Sequence, residues 1–322
     1  MKTSRASPLV IEAFGATHVG RSRKHNEDSV LVRPDLCLFA VADGAGGHQA
    51  GEVASALAVR SLANYFGATV RATHDNSEFD GFGVPVGARR LSAAIHKANR
   101  DVLEIARTHE RHRGMGTTVV AVSFSPRSAL VHVGHAGDSR CYRLRGTHLE
   151  QLTKDHSLLT DLLEQRPDLD EGVLAKLPQN VVTRALGMEH ELRVSMASHA
   201  ALPGDRFLLC SDGLSSMLPP LQLADTLSQQ EPPETVTHLL IAMANSAGGR
   251  DNIAALVVDC EGEPPGAPSW VPPSPTADSY EGEQSDPELL IIGIEELDVA
   301  ELLHGASDEL LDAVKRLAQN QR

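Results

Sequence analysis

Residues 38–44 read Leu38-Phe39-Ala40-Val41-Ala42-Asp43-Gly44. The apolar run suits a short buried strand, and it leads straight into a carboxylate. Two further stretches share the design: Arg206-Phe207-Leu208-Leu209-Cys210-Ser211 runs into Asp212-Gly213, and Asp251-Asn252 immediately precedes Ile253-Ala254-Ala255-Leu256-Val257-Val258. An ion at the tip of a buried strand is costly unless it is paired or metal-bound. One such acid is explained by turn chemistry, since Asp-Gly and Asp-Asn are common turn dipeptides. Three of them, with Asn26-Glu27-Asp28 entering a fourth apolar run, point to convergence on one site. A carboxylate cluster without Cys or His neighbours selects hard cations, Mg²⁺ or Mn²⁺.

Outward from these strands, Val30–Arg33 and Leu36–Ala42 read as strands, then Glu52–Phe66 and Leu91–Ala106 as helices. In the second helix Leu91, Ile95, Ala98, Val102 and Ile105 recur at three- and four-residue spacing, which is one helical face. A polar loop is expected around Thr73–Gly87. Thr117–Phe124, Ala129–Val133 and Cys141–Leu144 read as a strand meander, and Leu192–Ala197 and Arg206–Cys210 as further strands. Two helices follow, Leu221–Leu227 and Glu234–Ala244, before a last strand at Ile253–Val258. Elements arriving in blocks predict an α+β fold of layered sheets, not a doubly wound one.

The chain has 322 residues, 41% hydrophobic and 22% charged, which excludes wholesale disorder. A net charge of −14 and only 3% aromatic residues argue against a nucleic-acid partner. The longest tail run, Leu289–Ile294, is far short of the roughly 18–20 residues that span a bilayer, so no membrane span is expected. The N-terminus has no apolar core of a secretory signal. Cys37, Cys141, Cys210 and Cys260 are scattered without a C-x-x-C pair and read as reduced thiols of a cytoplasmic protein. Residues 261–322 carry 14 acids against 3 bases. The reading is therefore a main domain at 1–260, a Pro-rich acidic linker at 261–288 and a short acidic, partly helical tail at 289–322. In the tail, Leu310, Leu311, Val314 and Leu317 form an apolar stripe after the capping candidate Ser307. A lone helix of about 12–15 residues is marginal in water, so the stripe needs a surface, and docking on a partner is the favoured reading.

The chain resembles the metal-dependent (type 2C, or PPM) serine/threonine protein phosphatases in their bacterial form. The matching stretches begin with Gly20-Arg21-Ser22-Arg23-Lys24-His25-Asn26-Glu27-Asp28-Ser29, Val41-Ala42-Asp43-Gly44-Ala45-Gly46-Gly47-His48 and Gly114-Met115-Gly116-Thr117-Thr118. They continue with Gly137-Asp138-Ser139-Arg140, Leu152-Thr153-Lys154-Asp155-His156-Ser157, Thr183-Arg184-Ala185-Leu186-Gly187, Cys210-Ser211-Asp212-Gly213-Leu214 and Arg250-Asp251-Asn252. Each is weak alone. Eight in family order from about residue 12 to 260 are specific; the tail is not covered.

The resemblance implies an αββα sandwich of two antiparallel sheets flanked by helix pairs, with metals in a cleft at one edge. It implies that Asp43 bridges two ions, that the Gly44 carbonyl completes one shell, and that Asp212 and Asp251 hold the other ion. Asp138 matches a ligand of a weaker third ion, shared with Asp212. Glu27 matches a residue that orients the attacking water, and Arg23 the side chain that grips the substrate phosphate. It implies phosphorylated proteins as substrates and a serine/threonine kinase as the activity opposed, in signal transduction. In bacterial relatives the stretch matching Leu158–Val181 is a mobile flap; a permanently packed helix is the other reading for Leu158–Glu164. The residue types suit the chemistry. Two cations activate a bridging water for in-line displacement, and an Arg fork binds two phosphate oxygens at once. His48 is a candidate general acid, the alternative being a loop histidine near the cleft rim. In the eukaryotic pattern a His directly follows the Asp-Gly pair, where this chain has Ala45.

Two other classes compete. Gly137-Asp138-Ser139 carries the nucleophile in one class of serine esterases, but those enzymes need a late Asp-x-x-His, which this sequence lacks. A catalytically silent, partner-binding relative would have lost a metal acid, and Asp43, Asp212 and Asp251 are all present. Gly44–Gly51 has neither G-x-G-x-x-G spacing nor a Gly-Lys-Ser/Thr ending, so it is not a nucleotide loop.

Overall fold

Apolar runs without alternation form where a strand is covered on both faces, and the chain builds just such strands. The computed structural model describes residues 9–46, 50–72, 78–167, 177 and 181–262. His48 and the tail stripe lie outside the described residues, as do the linker beyond Gly262 and most of the flap beyond Pro167. The chain divides into two compact units, one within Met1–Lys154 and Ala185–Pro272, the other around Asp155–Arg184.

In the first unit, one antiparallel sheet contains β1 (Val10–His18), β7 (Arg140–Arg145), β8 (His148–Gln151), β10 (Arg206–Cys210) and β11 (Ile253–Glu261). Its order is β1-β11-β10-β7-β8. The other contains β2 (Asp28–Arg33), β3 (Leu38–Ala45), β5 (Val119–Ser125), β6 (Leu130–Ala136) and β9 (Ser195–Ala200) in the order β2-β3-β5-β6-β9. A short β4 (Gly116–Thr117) pairs with the end of β3.

Three apolar layers hold the unit together. In β3, Leu38 and Ala40 face α1 (Ala50–Ala72) and α2 (Val86–Thr108), while Phe39 and Val41 face the opposite sheet. On α1 the buried residues Ala50, Ala54, Ala58, Leu62 and Phe66 recur every four positions, one stripe down a helix. Between the sheets, Phe124 stacks edge-on against Phe39 (5.9 Å) and Phe207 (5.4 Å). Each such ring contributes on the order of 1.5–3 kcal/mol by burial. The third layer joins Leu208, Cys210, Ile253, Ala255 and Val257 to the helices after β10, namely α4 (Asp212–Ser215), α5 (Pro220–Leu227) and α6 (Pro233–Ser246). The α+β sandwich expected from the sequence is what forms. In the second unit, α3 (Leu158–Gln165) starts at Ser157, whose hydroxyl accepts from the Thr160 amide.

Some boundaries differ from the sequence reading. Leu36 belongs not to β3 but to a 3₁₀ turn, Pro34–Leu36, that ends in left-handed Cys37 (φ 49°). Gly87, expected in a loop, lies in the first turn of α2. The strand expected at Leu192–Ala197 runs instead over Ser195–Ala200. β1 and β8 have no counterpart in the sequence reading, and the strand expected at Thr117–Phe124 is split at Thr118 into β4 and β5. Among the described residues, no helix is long and apolar enough to cross a membrane, and all four cysteines are free thiols.

Candidate metal centre

Both sheets deliver carboxylates to the same end. Asp43 sits near the end of β3, and the strand register places Asp28, the first residue of β2, directly opposite it. Asp212 is the residue after Ser211 at the end of β10 and opens α4; Asp251 stands two residues before β11. Asp138 lies in the turn between β6 and β7.

Their mutual fields show how closely they crowd. Burial, then the charges of Asp28, Asp212, Asp138 and Asp251, hold the Asp43 carboxyl well above the usual carboxylate range. Burial and the neighbouring Asp251 likewise raise Asp212. Asp28 is pushed up to about 7, chiefly by burial and further by Asp212 and Asp251, with the Ser211 hydrogen bond opposing. Its Oδ2 accepts from Ser211 Oγ at 2.8 Å, while Oδ1 is buried without a hydrogen-bond donor among the described residues.

An orphaned carboxylate oxygen inside a ring of like charges is a cation's environment, and an all-oxygen donor set fits Mg²⁺ or Mn²⁺. The backbone agrees. A Cβ at Gly44 would lie 2.1 Å from the Gly51 carbonyl and 2.7 Å from the Glu27 carbonyl, so the chain packs here without a side chain. The acids are gathered, not closed: among the described residues no three His, Cys, Asp or Glu side chains form a finished ligand shell.

The remaining predicted residues stand around this cluster. Arg23 is exposed, and its Nη2 donates to Asp251 Oδ2 at 2.8 Å, a bond that raises its pKa. An exposed pair of this kind is worth roughly 0.2–1 kcal/mol, so the guanidinium exchanges partners cheaply. Glu27 is half-buried and its carboxyl is raised, first by burial; Arg23 and the Gly51 amide pull it back down.

Sequence reasoning overlooked the uncharged side chains that set this geometry. Asn252, 5% exposed, accepts from the Glu27 amide (2.8 Å) and donates to the carbonyls of Val19 (3.0 Å) and His25 (2.8 Å). Its own amide donates to Asp251 Oδ1 at 2.8 Å. Ser211 Oγ, besides holding Asp28, accepts from the Ala254 amide at 2.9 Å. Thr117 Oγ1 donates to the Asp43 carbonyl at 2.8 Å, and the Asp43 amide donates to Thr118 Oγ1 at 3.2 Å. The only signal in the sequence was adjacency, Ser211 before Asp212 and Asn252 after Asp251. The esterase alternative fails on geometry: Ser139 is 1% exposed and its hydroxyl is hydrogen-bonded to Thr118 Oγ1 at 2.7 Å, not offered to a substrate.

The two-sheet sandwich with acids at one end defines a metal-assisted phosphatase, and comparison with known proteins agrees. The family described as "Protein phosphatase 2C" matches residues 14–256, and the chain belongs to it. The chain is 35% identical over 246 residues to the serine/threonine phosphatase stp of Listeria welshimeri, covering 76% of this chain and 93% of that protein. The crystal structure of the Mycobacterium tuberculosis serine/threonine phosphatase PstP/Ppp superposes with a TM-score of 0.68 at 33% identity, covering 79% of this chain and all (100%) of that one. A structure of the PstP catalytic domain in complex with two manganese ions matches with a TM-score of 0.66 at 34% identity, covering 79% of this chain and 99% of that one. The chain is a serine/threonine protein phosphatase that depends on a divalent metal.

Proposed function

We propose that Asp43, Asp212 and Asp251, with the Gly44 carbonyl, hold two Mn²⁺ or Mg²⁺ ions, and that Asp138 shares Asp212 with a weaker third. The observation that carries this reading is Asp28 Oδ1, buried without a donor among the described residues, beside Asp43, Asp212 and Asp251. Bound cations supply a water of lowered pKa and a clamp on the oxygens of an in-line displacement. The protein's own groups do the rest. Arg23 leaves Asp251 to grip the phosphate of a phosphoserine or phosphothreonine through two parallel hydrogen bonds. Glu27, held by the Gly51 amide, orients the attacking water. His48 protonates the leaving Ser or Thr oxygen. The enzyme acts in the cytoplasm, where its four free thiols stay reduced. There it opposes a serine/threonine kinase, and the tail docks a partner.

Chelation followed by Mn²⁺ titration on a phosphothreonine peptide tests the assignment. Activity should vanish with the metal and return with it, and full activity after exhaustive chelation would refute it. Asp212→Asn should weaken Mn²⁺ binding and lower kcat by orders of magnitude. Arg23→Ala should raise KM with metal affinity little changed; equal losses of Mn²⁺ affinity in the two variants would mean the roles are misassigned.

A further inference from the structure

The outer lip of this site is cationic in a chain whose net charge is −14. Arg21, Arg23 and Lys24 lie in the loop from β1 to β2, and Arg250 lies in the turn before β11; all four are exposed. Arg23 is engaged by Asp251. Arg21, Lys24 and Arg250 have no acidic partner among the described residues, so their charge faces solvent. The acids of this face lie further in: Glu27, Asp43, Asp138, Asp212 and Asp251 are half-buried, Asp28 is buried, and Asp251 is the one that reaches Arg23.

The lip is also built, not merely charged. The amides of Arg21 and Ser22 both donate to the Gly249 carbonyl, at 2.7 and 3.3 Å, which sets Arg21 beside Arg250. On the other side the Asn252 side chain pins Val19, His25 and Glu27. The loop therefore holds its cations at set positions one and two residues from Arg23. A cation fixed near a binding site steers and retains anions better than one on a free chain.

We propose that Arg21, Lys24 and Arg250 form a substrate-selecting lip, which favours phosphorylated segments carrying further negative charge within a few residues of the phosphate. The proposal rests on the reading of Arg23 as the phosphate-gripping group, because that reading sets where the flanking residues of a substrate fall. The anionic flank is either an acidic side chain or a second phosphate, and the two are separated by the choice of peptide.

The test uses the full chain with Mn²⁺ and three phosphothreonine peptides of one length. One has glutamates flanking the phosphoresidue, one has glutamines there, and one has a second phosphoserine. p-Nitrophenyl phosphate serves as a substrate without flanks. At low salt kcat/KM should be about two- to fivefold higher for each flanking charge that meets the lip, and the gain should shrink as salt rises. Arg21→Gln with Arg250→Gln should level the glutamate and glutamine peptides while hydrolysis of p-nitrophenyl phosphate is unchanged. Arg21→Glu should reverse the preference. Equal kcat/KM for the charged and neutral peptides in the parent protein overturns the proposal, as does a preference that survives both Gln substitutions. A larger gain with the phosphoserine peptide than with glutamate assigns the second phosphate as the flank. If p-nitrophenyl phosphate is not hydrolysed even with Mn²⁺, the metal-site reading has failed instead. Fluorescence anisotropy of the labelled peptides then decides the lip by the same comparison of affinities.

Discussion

Replacing Asn252 by alanine removes one buried side chain and three hydrogen bonds at once, at 2.8, 2.8 and 3.0 Å. A typical intramolecular hydrogen bond contributes about 0.5–1.5 kcal/mol net. Val19 and Glu27 are half-buried and His25 is exposed, so water replaces part of what is lost and the full desolvation cost does not appear. The expected destabilisation is therefore about 2–3 kcal/mol, or roughly 5–10 °C in Tm for a unit of this size. The loss should be local in its consequences. The loop from Val19 to Glu27 carries Arg23, so KM for a phosphate ester should rise several-fold more than kcat falls. Hydrogen exchange of the Arg21, Ser22 and Glu27 amides should speed up in the metal-free protein, while strands β5 and β10 keep their protection. Asn252→Asp keeps the acceptor for the Glu27 amide but turns both donations into repulsion, and it should show the same pattern. A variant that melts within about 0.5 kcal/mol of the parent, the ordinary range for surface substitutions, with unchanged loop exchange and KM, would refute the reasoning.

Three other outcomes are expected. A Cβ at Gly213 would lie 1.8 Å from the Asn252 carbonyl oxygen, so Gly213→Ala must shift the backbone at Gly213 or Asn252, each next to a metal acid; it should lose more than ~3 kcal/mol of stability and weaken Mn²⁺ binding, read by urea melts and titration. Burial lowers His132 from its ordinary 6.5 to about 4, so the unfolded chain takes up the proton first and stability falls as pH drops through that window. About 2 kcal/mol should be gone by pH 5, and His132→Gln should flatten this part of the Tm–pH curve; parallel curves for the two proteins would refute it. A chain truncated after Gly262 should fold and hydrolyse p-nitrophenyl phosphate at the full-length rate, since the family match ends at residue 256 and β11 at Glu261. A large fall in its Tm would make the remaining residues part of the folded unit.

The elements legible in the sequence are those whose two faces are both buried. The strand expected at Arg206–Cys210 matches the structure to the residue, because every position from Phe207 to Cys210 packs on either the other sheet or the helices. The misread strands are edges. β1 and β8 end one sheet and β9 ends the other, and all three are half-exposed, held by partners on one side only. β9 shows the cause: its register is set by pairing with β6, where Ser198 lies opposite His132 and hydrogen-bonds its ring at 2.8 Å, and no apolar pattern records that. The same division holds at the metal centre. Its acids were legible because a charge at the end of an apolar run is conspicuous. Asn252, Ser211 and Thr118 are not, because a buried amide or hydroxyl looks like any turn residue until its distant partners are brought near: the Ser211–Asp28 bond spans 183 positions and the Asn252–Val19 bond 233.

Strand β11 begins beside Asp251 and runs nine residues away from it, and its last residue, Glu261, pairs with Val10 at the start of β1. Nine residues of strand cover about 27 Å. The paired residues Val10 and Glu261 therefore sit about that far from Asp251. A reporter group on the exposed side chain of Glu261 would follow the folding of the sandwich without touching the catalytic mouth.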